Sequence, residues 1–341
     1  MLSGGCGYRQ DDGVLHLRLV VPTNETDDVL SLLEGDAAVT NVVLLPGAAR
    51  SPSGDVIMAD MAREGANAVL ECLRGLDIDE TGSIAVQTID VSISQTARRA
   101  ERAAPGEGAD AVIWEEVATR THDDATLSVT YLLFLTIATM IAAVGVLLDN
   151  PILIVGSMVV GPEFGPLAGL CLGIVQRRAR FAWRSFLGIV VGFPVAIFVT
   201  VVFAWLLDLW DVVDREQLDA ERPLTAFIYQ PDALSWVVAF LAGIAGMLSL
   251  TSAKSGALVG VLISVTTVPA AANVALAIAY ADYAEASGSL IQLGINLGSI
   301  VLAGCLTLLV QRYVWSRRQL QSRHPPAAEE VYRRVRGSGG S

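Results

Sequence analysis

The sequence is nearly devoid of lysine and poor in histidine and cysteine. Among its 341 residues, Lys254 is the only lysine. The four cysteines and three histidines are scattered, at Cys6, Cys72, Cys171 and Cys305 and at His16, His122 and His324. No two of them have the spacing of a zinc site, a redox motif or a nucleophile–base pair. We therefore expect no metal, no cofactor and no enzymatic activity.

Positive charge is also scarce, above all in the first third of the chain. The net charge is −12; residues 1–125 have 9 Arg and 22 Asp or Glu, a net −13, and the remainder has a net +1. Nucleic-acid-binding proteins need a basic surface, so the acidic first part argues against a nucleic-acid partner. Hydrophobic residues are 53% of the chain and concentrate after residue 125. This predicts a water-soluble domain followed by a membrane domain.

The first domain, residues 1–96, alternates between strand and helix patterns. Strands are predicted over Val14–Val21, Val39–Leu45 (ended by Pro46-Gly47), Asp55–Asp60 and Ile84–Ile93, and helices from a cap at Thr23 or Asn24 to Gly35 and over Ala62–Leu76. The order strand, helix, strand, strand, helix, strand is that of the ferredoxin-like split βαβ pattern. We expect an α+β cytoplasmic domain with a regulatory or assembly role.

Residues 97–125 are predicted to link the two domains through a helix. Val112, Ile113 and Val117 have helical spacing, and Trp114 lies beside them. One interpretation is an amphipathic helix on the membrane surface, with Trp114 at the level of the headgroups. A connector helix that packs on the first domain fits the pattern equally well.

Residues 126–312 contain six apolar segments, each close to the 20 residues that a membrane span needs. They are Leu127–Leu148, Ile152–Val175, Phe186–Leu207, Leu234–Leu250, Ser255–Tyr280 and Leu290–Val310. We therefore predict a membrane α-helical bundle of six spans. A basic tail follows over residues 313–336, and the Gly-Ser-Gly-Gly-Ser sequence of residues 337–341 is typical of a cloning remnant.

The loops between the predicted spans alternate in charge. Arginines or a lysine follow the second, fourth and sixth spans, in residues 177–184, at Lys254 and in residues 312–323. The loops after the third and fifth spans are acidic, in residues 208–221 and 282–285. Basic loops face the cytoplasm. The pattern therefore predicts a multi-pass protein of the bacterial inner membrane with both termini cytoplasmic.

The second and fifth spans contain prolines near their middle. Pro162 and Pro166 interrupt the second span and Pro269 the fifth. Proline has no backbone N–H and clashes with the preceding turn, so we expect broken helices whose freed backbone groups face protein or water. Each broken span is the middle one of three, and halves of three spans have opposite orientations. This pattern favours a 3+3 inverted repeat, in which paired broken helices form a transport site.

Glu163 is the only acidic residue deep within a predicted span. A carboxylate at that depth costs roughly 2.5–3.5 kcal/mol or more, so we expect it to be paired, protonated or in contact with water. In one interpretation it lies on a substrate or ion path; in the other it only bonds the freed N–H groups of its own break. The candidate path residues are Asn150, Ser157, Gly161, Pro162, Glu163, Gly165, Pro166, Thr266, Thr267, Pro269 and Asn273. Gln292 and Asn296 are further polar candidates in the sixth span. Taken alone, each of the uncharged polar residues fits an interhelical hydrogen bond better than a ligand role.

The segment from Asp149 to Leu167 resembles a known family signature. That signature has an asparagine, an Ile/Val-Gly-Ala/Ser-Met run and two spaced prolines, here Asn150, residues 155–158, Pro162 and Pro166. The chain resembles, over roughly residues 125–310, the hydrophobic membrane proteins grouped as domain of unknown function 389. The resemblance implies a membrane protein and no particular substrate.

Two functions are compatible with these features. The first is a transporter or channel for a small solute or ion, with a path between the two broken helices and a first domain that gates or assembles it. The alternative is a membrane-anchored sensor or scaffold, whose first domain binds a ligand or partner and which transports nothing. In either case the lipid bilayer is a partner, and the small-residue-rich spans favour a homo-oligomer.

Overall fold

The structure is a computed structural model that describes residues 14–89, 114, 117, 118, 121, 125–210, 228, 233–251 and 266–319. The chain divides into two compact units, with the main boundary just after Trp114. The first unit contains a small sheet and the second contains apolar helices.

The first unit is a four-stranded sheet with helices. Its elements are β1 (Val14–Val21), α1 (Thr26–Gly35), β2 (Val39–Arg50), β3 (Ser53–Ala62), a 3-10 turn (Arg63–Gly65), α2 (Ala66–Gly75), α3 (Ile78–Thr81) and β4 (Ser83–Thr88). The strand order is β2-β3-β1-β4, and all neighbouring strands are antiparallel. This order of elements agrees with the prediction, apart from the short α3.

The alternation along β1 determines which face of the sheet is covered. Leu15, Leu17 and Leu19 are buried, whereas Arg18 between them is exposed. Side chains two residues apart lie on the same face of a strand. The buried face of β1 therefore packs on the two main helices, through Val29, Leu32 and Leu33 of α1 and Val69, Leu70 and Leu73 of α2.

The edge strand β2 continues past the point where the sequence predicts its end. It runs through Pro46 and Gly47 to Arg50, with an irregular register between Leu45 and Ala49. An edge strand tolerates a proline because one side of it needs no ladder donor. Gly47 has a φ of +62°, which glycine adopts without steric strain. The predicted stop at Pro46-Gly47 is therefore wrong, as is the predicted cap of α1, which is Glu25.

The second unit consists of apolar helices. They are α4 (Val129–Leu147), α5 (Pro151–Val160), α6 (Phe164–Val175), α7 (Ala179–Leu209), α8 (Ala233–Thr251), α9 (Thr267–Ala279) and α10 (Tyr283–Gln319). Three of them, α4, α7 and α10, are long and apolar enough to cross a membrane, and the bent pair α5–α6 counts as a fourth span. The 13-residue α9 is shorter, as is Ser235–Thr251, the part of α8 whose side chains are described. Most of the first half of the predicted fifth span lies outside the described residues. The described residues thus contain three to four candidate spans, and the predicted count of six is not confirmed.

Two capping residues determine where the first membrane helices begin. Ser128 Oγ accepts a hydrogen bond from the Tyr131 N–H at the start of α4. Asn150 Oδ1 accepts from the N–H groups of Ile152 and Leu153, at 3.0 and 3.4 Å, and Pro151 is the first residue of α5. These side chains satisfy donors that a helix start leaves free.

The bundle is held together by close approaches of small residues. Helix α4 packs on α5, α7 and α9. A side chain at Gly192 of α7 would lie 2.9 Å from the ring of Tyr131, and one at Gly145 of α4 would lie equally near Ile154. The outer faces of the helices expose large apolar side chains such as Phe134, Phe198 and Leu302. Many exposed apolar side chains of this kind are typical of a membrane protein.

The predicted linker helix lies mostly outside the described residues. The Trp114 N–H donates a 3.3 Å hydrogen bond to Asn67 Oδ1 of α2. This contact favours the connector that packs on the first domain over the membrane-surface interpretation.

Candidate functional site

The predicted break of the second span is present. Helix α5 ends at Val160 and α6 begins at Phe164, and the two axes differ by 52°. Pro162 lies in the break, where it cannot continue the hydrogen-bond ladder. Pro166 is the third residue of α6, a position whose N–H has no partner in a helix. The break is therefore encoded locally, in the residues from Gly161 to Pro166.

A second helix begins in the same manner in the fifth predicted span. Helix α9 starts at Thr267, so Pro269 is its third residue, as Pro166 is of α6. Pro269 therefore marks a helix start rather than a kink in the described part. Glu163 directly precedes α6, and Thr266 directly precedes α9.

Glu163 joins these two helix starts. It is 2% exposed, and its Oε1 accepts a 2.9 Å hydrogen bond from Thr267 Oγ1. Its other oxygen, Oε2, is buried and has no hydrogen-bond partner among the described residues. Oε2 lies against Gly161, where any side chain would collide with it. The amino ends of both helices, which have a partial positive charge, thus meet at the Glu163 carboxylate. One oxygen of that carboxylate, Oε2, accepts no hydrogen bond from the described residues.

Further polar groups continue from this point between α9 and α10. Asn296 Nδ2 donates to Thr266 Oγ1 at 2.8 Å and to the Thr266 carbonyl at 3.3 Å. Gln292 Nε2 in turn donates to Asn296 Oδ1 at 3.3 Å. Thr267 bonds Glu163 and the adjacent Thr266 bonds Asn296. The amides of Asn296 and Gln292 therefore extend the hydrogen-bonded chain that begins at Glu163.

Further hydrogen bonds lie on the same face of α10, nearer its amino end. Asn273 Nδ2 of α9 donates 2.8 Å hydrogen bonds to Ser289 Oγ and to Glu285 Oε1. We call the six residues Thr266, Asn273, Glu285, Ser289, Gln292 and Asn296 the amide ladder. Its α10 members are spaced by four, three and four residues, which places them on one face of the helix.

The structure brings some of the predicted path residues together and separates others. Gly161, Pro162, Glu163 and Thr267 meet at the break, and Thr266 and Asn273 belong to the amide ladder. Gly165, Pro166 and Pro269 lie in the first turns of α6 and α9. Two residues have local roles instead: Asn150 caps α5, and Ser157 Oγ donates to the Ile154 carbonyl of its own helix.

The sequence prediction missed Glu285 and Ser289 as site residues. Glu285 was assigned to an acidic loop, but it lies in the first turn of α10. The signal that could have found both is the helical spacing from Glu285 to Asn296. That spacing becomes visible only if the sixth helix begins before the predicted Leu290, and it does, at Tyr283.

Comparison with known proteins places the chain near an uncharacterised family. A family model described as Domain of unknown function (DUF389) matches residues 158–302, which confirms the predicted resemblance over that segment. An uncharacterized protein of Methanocaldococcus jannaschii is 28% identical over 214 residues, which are 61% of this chain and 63% of the relative. No solved structure matches the chain. Neither description names an activity, so function has to be argued from the site.

Proposed function

We propose that this protein is an integral membrane transporter or channel for a small solute or ion, with its site at the meeting of α6 and α9. The observation that carries the proposal is the Oε2 atom of Glu163, a buried acceptor without a partner among the described residues. A buried polar atom left unpaired costs about 1–3 kcal/mol. An intramembrane ionisable residue in that state is by default a functional candidate. In the purely structural alternative, Glu163 only bonds the N–H groups that its own break leaves free.

The start positions of the helices support two repeated halves. Helix α4 starts at Val129 and α8 at Ala233, 104 residues later. Helix α6 starts at Phe164 and α9 at Thr267, 103 residues later. Helix α7 starts at Ala179 and α10 at Tyr283, again 104 residues later. The counterpart of α5 would fall in residues 252–265, outside the described part. On this basis we propose six spans in two halves of three.

The directions of the helices support an inverted relation between the halves. Arg312 Nη1 of α10 donates to the Val175 carbonyl, so the carboxyl end of α6 lies near Arg312. Helix α7 begins directly after α6, and its Trp205 Nε1 donates to the Ala279 carbonyl at the end of α9. Helices α6 and α9 thus leave their common start toward opposite ends of α7. This is the geometry of paired broken helices in inverted-repeat transporters.

The charges at the two ends support an orientation. Residues 177–180 follow the end of α6, and Arg312 contacts that end. Asp208 and Asp282 lie where α7 and α9 end. By the positive-inside rule, the arginine end is cytoplasmic. We propose a bacterial inner-membrane location with both termini and the first unit in the cytoplasm.

The first unit is proposed to be a ferredoxin-like regulatory or assembly domain. Its sheet order and antiparallel pairing support this class. Edge strand β2 exposes Val43, Leu44 and Leu45, each at least 36% exposed. Unpaired apolar edges favour association with another strand. We therefore expect a homo-oligomer assembled through β2. The same exposed edge is compatible with a scaffold role for this domain.

The transport proposal is tested with the full chain in proteoliposomes. Glu163→Gln keeps the size of the side chain but removes its charge, and we expect it to abolish most flux of the transported ion or to change the pH dependence of that flux. The matched control is Glu71→Gln, the same change at an exposed position of α2, which should transport normally. A correctly folded Glu163→Gln variant with wild-type flux across pH would contradict the proposal.

A further inference from the structure

We infer that the amide ladder binds a hard metal cation, for which sodium is the probe, and guides it to Glu163. This inference rests on the proposed transport function and assigns its ion. The two helices run antiparallel in register, because Thr266 contacts Asn296 and Asn273 contacts Ser289. Seven residues separate the contacts on each helix, which corresponds to about 10 Å of helix rise. The ladder therefore forms a polar strip that leads from Glu285 to the start of α9.

The unused atoms along this strip are all oxygens. Asn273 Oδ1, Gln292 Oε1 and Glu163 Oε2 are buried and have no hydrogen-bond partner among the described residues. The side-chain amide nitrogens of Asn273 and Gln292, by contrast, donate hydrogen bonds within the amide ladder. Asn273 and Gln292 are 1% and 0% exposed. An unpaired buried acceptor costs free energy, so these oxygens favour a bound ligand over side chains that only join the two helices.

The chemistry of these atoms selects a metal cation. Carboxylate and amide oxygens are ligands of hard metal ions. An anion would need a positive side chain along the strip, but α9 has no basic residue and α10 has none before Arg312. The positive amino ends of α6 and α9 already face the Glu163 carboxylate. A proton relay is typically built from titratable Asp, Glu or His side chains, whereas amides do not titrate. Carboxylates at both ends of the strip, Glu285 and Glu163, add the negative charge that a cation path requires.

The corresponding face in the first half of the bundle is different. Counted back 104 residues, Ser289, Gln292 and Asn296 correspond to Ser185, Gly188 and Gly192 of α7. There the space is closed, because Tyr131 packs on Gly192 and its hydroxyl donates to the Gly188 carbonyl. The amide side chains are thus specific to the α9–α10 side. We assign the cation path to that side alone.

The test measures uptake of radioactive sodium into proteoliposomes that contain the full chain. Gln292→Met keeps the shape of the side chain but removes the unused oxygen, and we expect at least a roughly tenfold lower initial rate, equivalent to about 1.4 kcal/mol. Ser289→Ala should also lower the rate. Ser185→Ala, the same change at the corresponding buried position of α7, should leave it nearly unchanged.

A second measurement does not depend on flux. Sodium that binds the folded protein raises its melting temperature, so the detergent-solubilised chain should be more heat-stable in sodium chloride than in choline chloride. Gln292→Met should remove that difference.

The possible outcomes separate this inference from the proposed function. If Glu163→Gln abolishes flux of protons or an anion while sodium neither passes nor stabilises the protein, the inference is overturned and the transport function stands. Equal sodium uptake by Gln292→Met and the wild type would also overturn it. If the folded wild type moves no probe at all, both are wrong.

Discussion

At the scale of the residue, Gly161 shows how one missing side chain shapes the site. It is the last residue before Pro162, and Glu163 Oε2 rests directly against it. A side chain there would also approach Val268 Cγ2 of α9 to 2.9 Å. The glycine is thus required for the contact between two helices and a carboxylate, not for an unusual backbone angle.

We predict that Gly161→Ala destabilises the protein by about 1–3 kcal/mol, the usual cost of inserting a methyl group into a filled site. It should also impair transport, because Glu163 has to move. Thermal unfolding in detergent and flux in proteoliposomes measure the two effects.

The matched control for this prediction lies in helix α5, just before the break. Gly156→Ala adds a methyl group where nothing lies within 4 Å, and alanine is the better helix former by about 1 kcal/mol. That variant should be as stable as the wild type or more so. Equal destabilisation by both variants would contradict the steric argument.

The prolines show why residue type alone does not decide local structure. Pro162 and Pro166 are accompanied by a helix break, and Pro269 lies at a helix start, yet Pro194 lies inside the continuous helix α7. The broken segment has a second proline and two glycines within six residues. The cluster of helix-breaking prolines and glycines therefore predicted the break correctly, whereas the isolated Pro194 does not break α7.

At the scale of the element, Asp55 joins three parts of the first unit. It lies on β3, and its carboxylate accepts 2.7 Å hydrogen bonds from the Gly47 N–H of β2 and from Thr26 Oγ1 of α1. These donors favour the ionised form and hold the pKa of Asp55 below its usual value. The unexpected continuation of β2 past Pro46 thus has a hydrogen-bond partner on β3.

We predict that Asp55→Asn lowers the melting temperature of the first unit at pH 7. Because the folded-state pKa is depressed, the ionised carboxylate stabilises the fold fully above its unfolded pKa of about 3.9, and the effect is lost as pH falls through the folded pKa. The difference between the wild type and the variant should therefore shrink toward pH 3.

Circular dichroism of the full chain in detergent can follow this melting across pH. Asp79→Asn, at an exposed position of α3, is the control and should show no such pH-dependent difference. A constant difference between Asp55→Asn and the wild type from pH 7 to pH 3 would contradict the role of the ionised carboxylate.

At the scale of the whole molecule, the proposed inverted halves make a prediction about sidedness. Arg178 follows α6, Asp282 follows α9, and both residues are exposed. In a variant without native cysteines, Asp282→Cys should react with a membrane-impermeant maleimide in intact cells, and Arg178→Cys should react only after the cells are opened. Labelling of both from the same side would rule out opposite directions for α6 and α9.

How far the sequence predicted this molecule differs between its two units. The strand order along the chain followed from period-two alternation, and β1 was predicted with its correct bounds, Val14 to Val21. The end of β2 was not, because its bulge depends on Asp55, a residue of the next strand. In the membrane unit, the sequence likewise indicated a broken helix around Glu163 but not the hydrogen bond between Glu163 and Thr267, which are 104 residues apart.

The sequence by itself determined the division into an acidic part and an apolar part, the break between Gly161 and Pro166, and the alternation of loop charge, because each depends on neighbouring residues or on composition. Only the tertiary structure decided which polar residues share a site. It joined Glu163 to Thr267, placed Glu285 and Ser289 beside Asn273, and placed Cys305 Sγ 4.0 Å from the Cys171 carbonyl oxygen. The reason is physical: contacts between helices depend on which faces meet. Each helix has several faces, and its own sequence does not determine which of them packs on which neighbour.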